Sequence, residues 1–171
     1  MLKRIIIGVV GSVGLAVGCL SFVAAAAPGP PTAISGTFFK GPAVGGRDRF
    51  AGQNVLQVRN ETGFGSLEGG VLTGAAEYTI DEEIVNFAGG IGTLHAHIAL
   101  TRGDGSVITI HLSGFTSGVS PTAQTVTVTG SWVIVSAVGP AARLHGEGQF
   151  TGVEDFQTGE TNGAFSGVII P

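Results

Sequence analysis

Ten residues constrain this chain more than any others. In Thr125-Val126-Thr127-Val128-Thr129-Gly130-Ser131-Trp132-Val133-Ile134, side chains two apart share a character. Successive side chains of an extended backbone point to opposite faces, so a period of two marks a half-buried strand. Comparable runs recur along the chain, cut by glycine, and no stretch sustains a 3.6-residue period. Strands are expected at 34–39, 54–59, 71–80, 83–87, 93–101, 106–115, 124–136, 144–153 and 164–170, with a turn or two of helix only around 48–52. So many short strands at regular spacing predict an all-β domain. The expected form is an antiparallel closed β-barrel of about eight strands, with a two-sheet sandwich as the alternative. Contiguous ladders in the C-terminal half favour a meander over long crossings.

One hairpin can be registered from sequence alone. Leu94, Ala96, Ile98 and Leu100 line one face of its first arm, and Ile108, Ile110 and Leu112 line one face of its second. Centring the turn on Asp104 pairs Leu100 with Ile108, Ile98 with Ile110 and Ala96 with Leu112. A three-residue Gly103-Asp104-Gly105 loop with Gly105 left-handed achieves this. A two-residue loop would flip one arm. The same register sets His97 across from His111. The interior is expected to take Tyr78, Val126, Val128, Trp132, Ile134, Leu144, Phe150, Phe165 and Ile169. Gly130 and Gly148 fall at inward positions, where a missing side chain permits a bend or a close approach.

The first residues set the expected compartment. Met1-Leu2-Lys3-Arg4 is a basic head, 5–23 is apolar, and Ala24-Ala25-Ala26-Ala27 is small. This is the layout of a secretory signal peptide over 1–26, of bacterial appearance, with a cut after Ala26. A Pro-rich spacer over 27–33 and a single domain over 34–171 would follow. The rival is a lipid anchor: Ala16-Val17-Gly18-Cys19 resembles a lipobox, although Ala16 replaces the usual leucine and the residues after Cys19 are apolar. Cys19 is the only cysteine, so no internal disulfide can form and stability must come from the core. Losing Lys3 and Arg4 with the leader takes the net charge from −4 to −6. That opposes nucleic acid and anionic membrane surfaces as partners, and no membrane insertion is expected after processing.

Gly130-Ser131-Trp132-Val133-Ile134-Val135-Ser136, then Gly139, then Leu144-His145-Gly146-Glu147-Gly148-Gln149-Phe150-Thr151-Gly152, form a wider pattern. It resembles the penultimate hairpin of allene-oxide-cyclase-like and dirigent-like barrels, nearest to small secreted bacterial members. There a Trp-x-Ile strand leads through a Gly-rich turn into an x-Gly-x-Gly-x-Phe strand. The 92–114 hairpin and the closing Gly163-Ala164-Phe165-Ser166-Gly167 strand fit the same layout. Ala137 and Ala141 depart from it, replacing a turn glycine and an aromatic. The resemblance implies an eight-stranded barrel with an apolar interior. No position here matches the catalytic residues of the plant enzymes, so none is carried over.

Constellations that bear chemistry are few. His95, His97 and His111 are the sharpest: two imidazoles at i, i+2 with a third opposite can bind zinc. They lie on the face opposite the Leu94/Ile98/Ile110 stripe, so solvated polar surface is the expectation and no metal is assigned. Asp81-Glu82-Glu83 is expected to be a turn where acids collect, not a calcium loop. His145 and Glu147 share a face as solvated side chains, and Asn60-Glu61-Thr62 is a chance glycosylation match. The alternation places nearly all ionisable groups outward. No nucleophile elbow, phosphate-binding loop or Cys/His zinc module is present, so no cofactor is implied. The expected function is accommodation of a small apolar molecule in the barrel, lined by Tyr78, Trp132, Phe150 and Phe165, without catalysis. A structural or surface-interaction role, and a cyclase or isomerase activity like that of the plant barrels, are the alternatives.

Overall fold

The computed structural model describes residues 29–120, 122 and 124–171. Within them the chain runs up and down through eight antiparallel strands: β1 Thr32–Phe50, β2 Val55–Glu68, β3 Gly74–Asn86, β4 Ile91–Thr101, β5 Val107–Ser120, β6 Thr125–Val138, β7 His145–Asp155 and β8 Glu160–Ile170. Each strand pairs with the next, and β1 pairs with β8 to close the ring. Closure leaves no sheet edge along the seam and turns one face of every strand into a shared core. The expected leader, the cleavage point after Ala26 and Cys19 lie outside the described residues. No helix among those described is long and apolar enough to cross a membrane.

The paper register of the 92–114 hairpin holds. Leu100 faces Ile108, Ile98 faces Ile110, Ala96 faces Leu112 and His97 faces His111. Gly105 has φ +82°, which closes the three-residue loop at the left-handed position. Asp104 Oδ1 accepts from Ser106 N at 2.9 Å and fixes the turn from within. The result is that Leu100, Ile108 and Ile110 are almost fully buried, each such side chain contributing about 1.5–3 kcal/mol.

Interior packing sets aromatic rings against glycine. Trp132, 3 % exposed, lies opposite Gly148, which lies opposite Gly167 on β8. A Cβ on Gly148 or Gly167 would stand 2.7 or 2.6 Å from the indole. The ring therefore lies on bare backbone, and its Nε1 donates to Ser166 O at 3.2 Å. Phe150 and Phe165 share the next tier as a cross-strand pair, and Phe165 meets Trp132 edge-on at 6.3 Å. Large side chains alternate with none, which is how a small barrel fills a narrow interior.

Three expectations are corrected. The helical turn around 48–52 is instead the end of β1, running into bends. The strands expected at 71–80 and 83–87 are one strand, β3, so Asp81-Glu82-Glu83 is not a turn. Expected strand 54–59 ended too early, because β2 continues through Asn60, at φ 52°, to Glu68. Short 3₁₀ turns occur instead at Gly70–Leu72 and Gly139–Ala141.

The two adjacent interruptions act together. On β2, Val58 is buried, Arg59 and Asn60 are both exposed, and Glu61 is buried. On β3, Ile80 is buried, Asp81 and Glu82 both turn outward, and Glu83 is buried. The β3–β4 register slips here, from Ile80↔Ala96 to Glu82↔His95, so Asp81 is a bulged residue. A bulge inserts one residue and inverts the inside–outside code beyond it. That inversion delivers two carboxyl groups to the interior.

Candidate functional site

Four ionisable side chains converge inside the barrel, contrary to the expectation that such groups point outward. Lys40 comes from β1, Glu61 from β2, Glu83 from β3 and Glu154 from β7. Lys40 and Glu154 follow from simple alternation: Lys40 continues the inward phase of Ile34 and Phe38, and Glu154 that of Phe150. Both lie just past the ends of the strands expected from sequence. Glu61 and Glu83 are out of phase with the inward residues before them, and only the paired interruption explains their position.

Lys40 Nζ is the hub. It donates to Glu154 Oε1 at 2.9 Å and to Gly159 O at 3.3 Å. It also contacts Glu61 Oε1 at 3.1 Å, an ion pair without the alignment of a hydrogen bond. The ammonium stands 5.3 Å above the centre of the Tyr78 ring. Tyr78 in turn donates its hydroxyl to Gly41 O at 3.0 Å. A lone tyrosine on an inward face thus finds a carbonyl, as a buried hydroxyl must.

The electrostatics follow from burial. Desolvation alone would lower the Lys40 ammonium, but Glu154 and Glu61 outweigh it and hold the pKa above its ordinary value. Burial raises Glu61, opposed by Lys40. Glu83 is only 2 % exposed. Burial first, and the neighbouring Glu154 second, push it well above the usual carboxylate range. Three carboxylates cannot all ionise around one ammonium in a poorly solvated space, and Glu83 is the one that keeps its proton. A hydrogen bond to Glu154 adds to the effect, while Oε1 of Glu83 accepts no hydrogen bond within the protein.

Three of these four side chains, all but Glu61, reach the wall of an otherwise apolar cavity of about 100 Å³. Tyr78, Trp132, Phe150 and Phe165 all line it, and so do Lys40, Glu83 and Glu154. The four aromatics expected to face the interior thus meet one cavity, Trp132, Phe150 and Phe165 from the adjacent strands β6, β7 and β8 and Tyr78 from β3 across the ring. Towards the same end of the barrel, Phe87 stacks with Phe50 and meets Phe156 edge-on, at ring-centre distances of 6.3 and 5.6 Å.

Outside the barrel, His97 and His111 are opposite one another, with ring centres 6.3 Å apart. His97 Nδ1 lies 3.2 Å from Asp81 Oδ2. His95 is exposed and opposite Glu82. Glu82 is taken up by Arg59 at 2.6 Å and Gln57 at 2.8 Å, and these hydrogen bonds hold it below the ordinary carboxylate value. His145 and Glu147 are both exposed on β7.

Compared with protein-family models, with curated proteins and with solved structures, the chain matches none.

Proposed function

We propose that the barrel binds one small, mostly apolar molecule whose single polar group pairs with Glu83. The carrying observation is a buried carboxyl group, bonded to Glu154, with one oxygen that accepts no hydrogen bond in the wall of an apolar cavity. Leaving such an atom unmatched costs about 1–3 kcal/mol, a cost that a ligand hydroxyl removes by donating to it. An apolar pocket with a few convergent polar groups of perturbed pKa is the usual form of a small-molecule site. At about 100 Å³ the space suits only a handful of heavy atoms, since a cavity of roughly 150 Å³ accommodates benzene. Export through the 1–26 leader, as a soluble protein, belongs to the same proposal.

Native mass spectrometry of the exported, untagged protein tests both parts. The expected species begins near Ala27 and carries a small non-covalent adduct. Cyclopentanol should also displace that adduct and shift Trp132 emission more effectively than cyclopentane. No adduct and no response to either probe would overturn ligand binding and leave the structural role. A diacylglyceryl group on Cys19 would overturn the soluble assignment.

A second reading, acid–base chemistry of the cyclase or isomerase kind, is favoured by one observation. Glu83, which keeps its proton, and Glu154, held by Lys40, line the same cavity. A carboxyl group that keeps its proton beside a second one paired with an ammonium can supply the acid of an acid–base pair. Solvent deuterium entering the bound molecule in the wild type, but not in Glu83→Gln, would decide for catalysis.

A further inference from the structure

The outer wall carries a second cluster that the interior site does not use, and one bulge creates it. Regular alternation on β3 would turn Glu82 inward and set the outward acids, Asp81 and Glu83, two residues apart. The extra residue at Asp81 places two consecutive carboxylates outside instead. Glu82 is held by Arg59 and Gln57. Asp81 leans over β4 to His97, whose partner across the next strand pair is His111.

The geometry points to a divalent transition-metal site on the barrel exterior, held by Asp81, His97 and His111, with a remaining position open to solvent. One ligand atom from each of the three lies within 4.8 Å of the others. Tetrahedral bonds of about 2.0–2.1 Å place ligand atoms roughly 3.3–3.4 Å apart. Asp81 Oδ2 and His97 Nδ1, at 3.2 Å, already have that spacing. The side chains of His97 and Asp81 are 41 % and 44 % exposed, so small rotations can bring in His111 without disturbing the core.

The donor chemistry selects the ion. Two imidazoles and one carboxylate suit zinc and its first-row neighbours, whereas calcium and magnesium take oxygen ligands. The carboxylate is what a histidine pair alone lacks: it supplies charge, and it fixes the ring that it touches. His95 does not belong to the group, although its spacing from His97 suggests that it should. It stands opposite Glu82 and Ser113, on the other side of the register slip.

Zinc titration of the untagged protein, stripped of metal and followed by competition with a chromophoric chelator, tests the assignment. One zinc per chain should bind in the micromolar range or tighter. His97→Ala, His111→Ala and Asp81→Asn should each weaken it by about tenfold or more. His95→Ala and His145→Ala should leave the affinity unchanged. Circular dichroism identifies any variant that fails to fold, and Asp81→Asn preserves the shape of the bulged residue. Failure to bind zinc at one equivalent would overturn the site. So would a loss in His95→Ala as large as that in Asp81→Asn, which would assign the metal to the histidines alone.

Discussion

Replacing Glu83 by glutamine removes one proton from the pH dependence of folding while keeping the shape of the neutral carboxyl group. Burial raises Glu83 above its ordinary value of 4.5. Between that value and its folded pKa, the native chain holds a proton that the unfolded chain has released. Stability contributed by this group is therefore complete below the unfolded pKa and falls as pH rises. One proton of difference corresponds to a slope of about 1.4 kcal/mol per pH unit. Lys40, Glu61 and Glu154 remain in both proteins, so the wild-type-minus-variant difference largely isolates Glu83. Urea unfolding followed by Trp132 emission at about pH 5, 6 and 7 measures it. Glu83→Gln should gain on the wild type as pH rises above the ordinary carboxylate range, by no more than about 1.4 kcal/mol per pH unit. A difference independent of pH would mean that Glu83 ionises at its ordinary value, and the argument for a retained proton would fail.

Two further outcomes follow from the packing. Trp132→Ala should lose about 3–5 kcal/mol, since it empties the space between β6 and the bare backbone of β7 and β8; urea unfolding followed by circular dichroism measures this, and a loss below 1 kcal/mol would contradict the tier description. Gly167→Ala should cost about 1–3 kcal/mol by overpacking, because its methyl group would meet Trp132 Cζ2 at 2.6 Å and collide with Glu147 O; the double variant Gly167→Ala/Trp132→Phe should recover part of that loss.

The legible part of the fold was the part with unbroken alternation. From Ile91 to Ile170 the inward residues keep phase well enough that Leu94, Ile110, Val126, Trp132, Phe150 and Phe165 can be assigned from sequence, and all are buried. Trp132, Phe150 and Phe165 were legible as cavity lining for that reason. The polar part of the cavity was hidden for two reasons. Lys40 and Glu154 sit in phase but just past the apolar runs at 34–39 and 144–153, where a charged side chain reads as the start of a loop. Glu61 and Glu83 sit beyond Asn60 and Asp81, where the code inverts. A bulge leaves little local trace, since Asp-Glu-Glu between two apolar runs looks like a turn. Its cause is the pairing of β3 with both neighbours, a tertiary fact. Asp81 was missed as a partner of His97 for the same reason.

The seam between β1 and β8 gives the barrel a kinetic asymmetry. Every other strand pair is a hairpin that can zip from its own turn, but this one joins Thr32 to Ile169 across nearly the whole described chain. Its closure must follow, because the entropy of so long a loop is repaid only once the intervening strands are ordered. The Lys40–Glu154 link joins β1 to β7 across that same closure. The buried proton of Glu83 thus belongs to the end of the folding path: until the ring shuts, water reaches the carboxyl group and its chemistry is that of any surface acid.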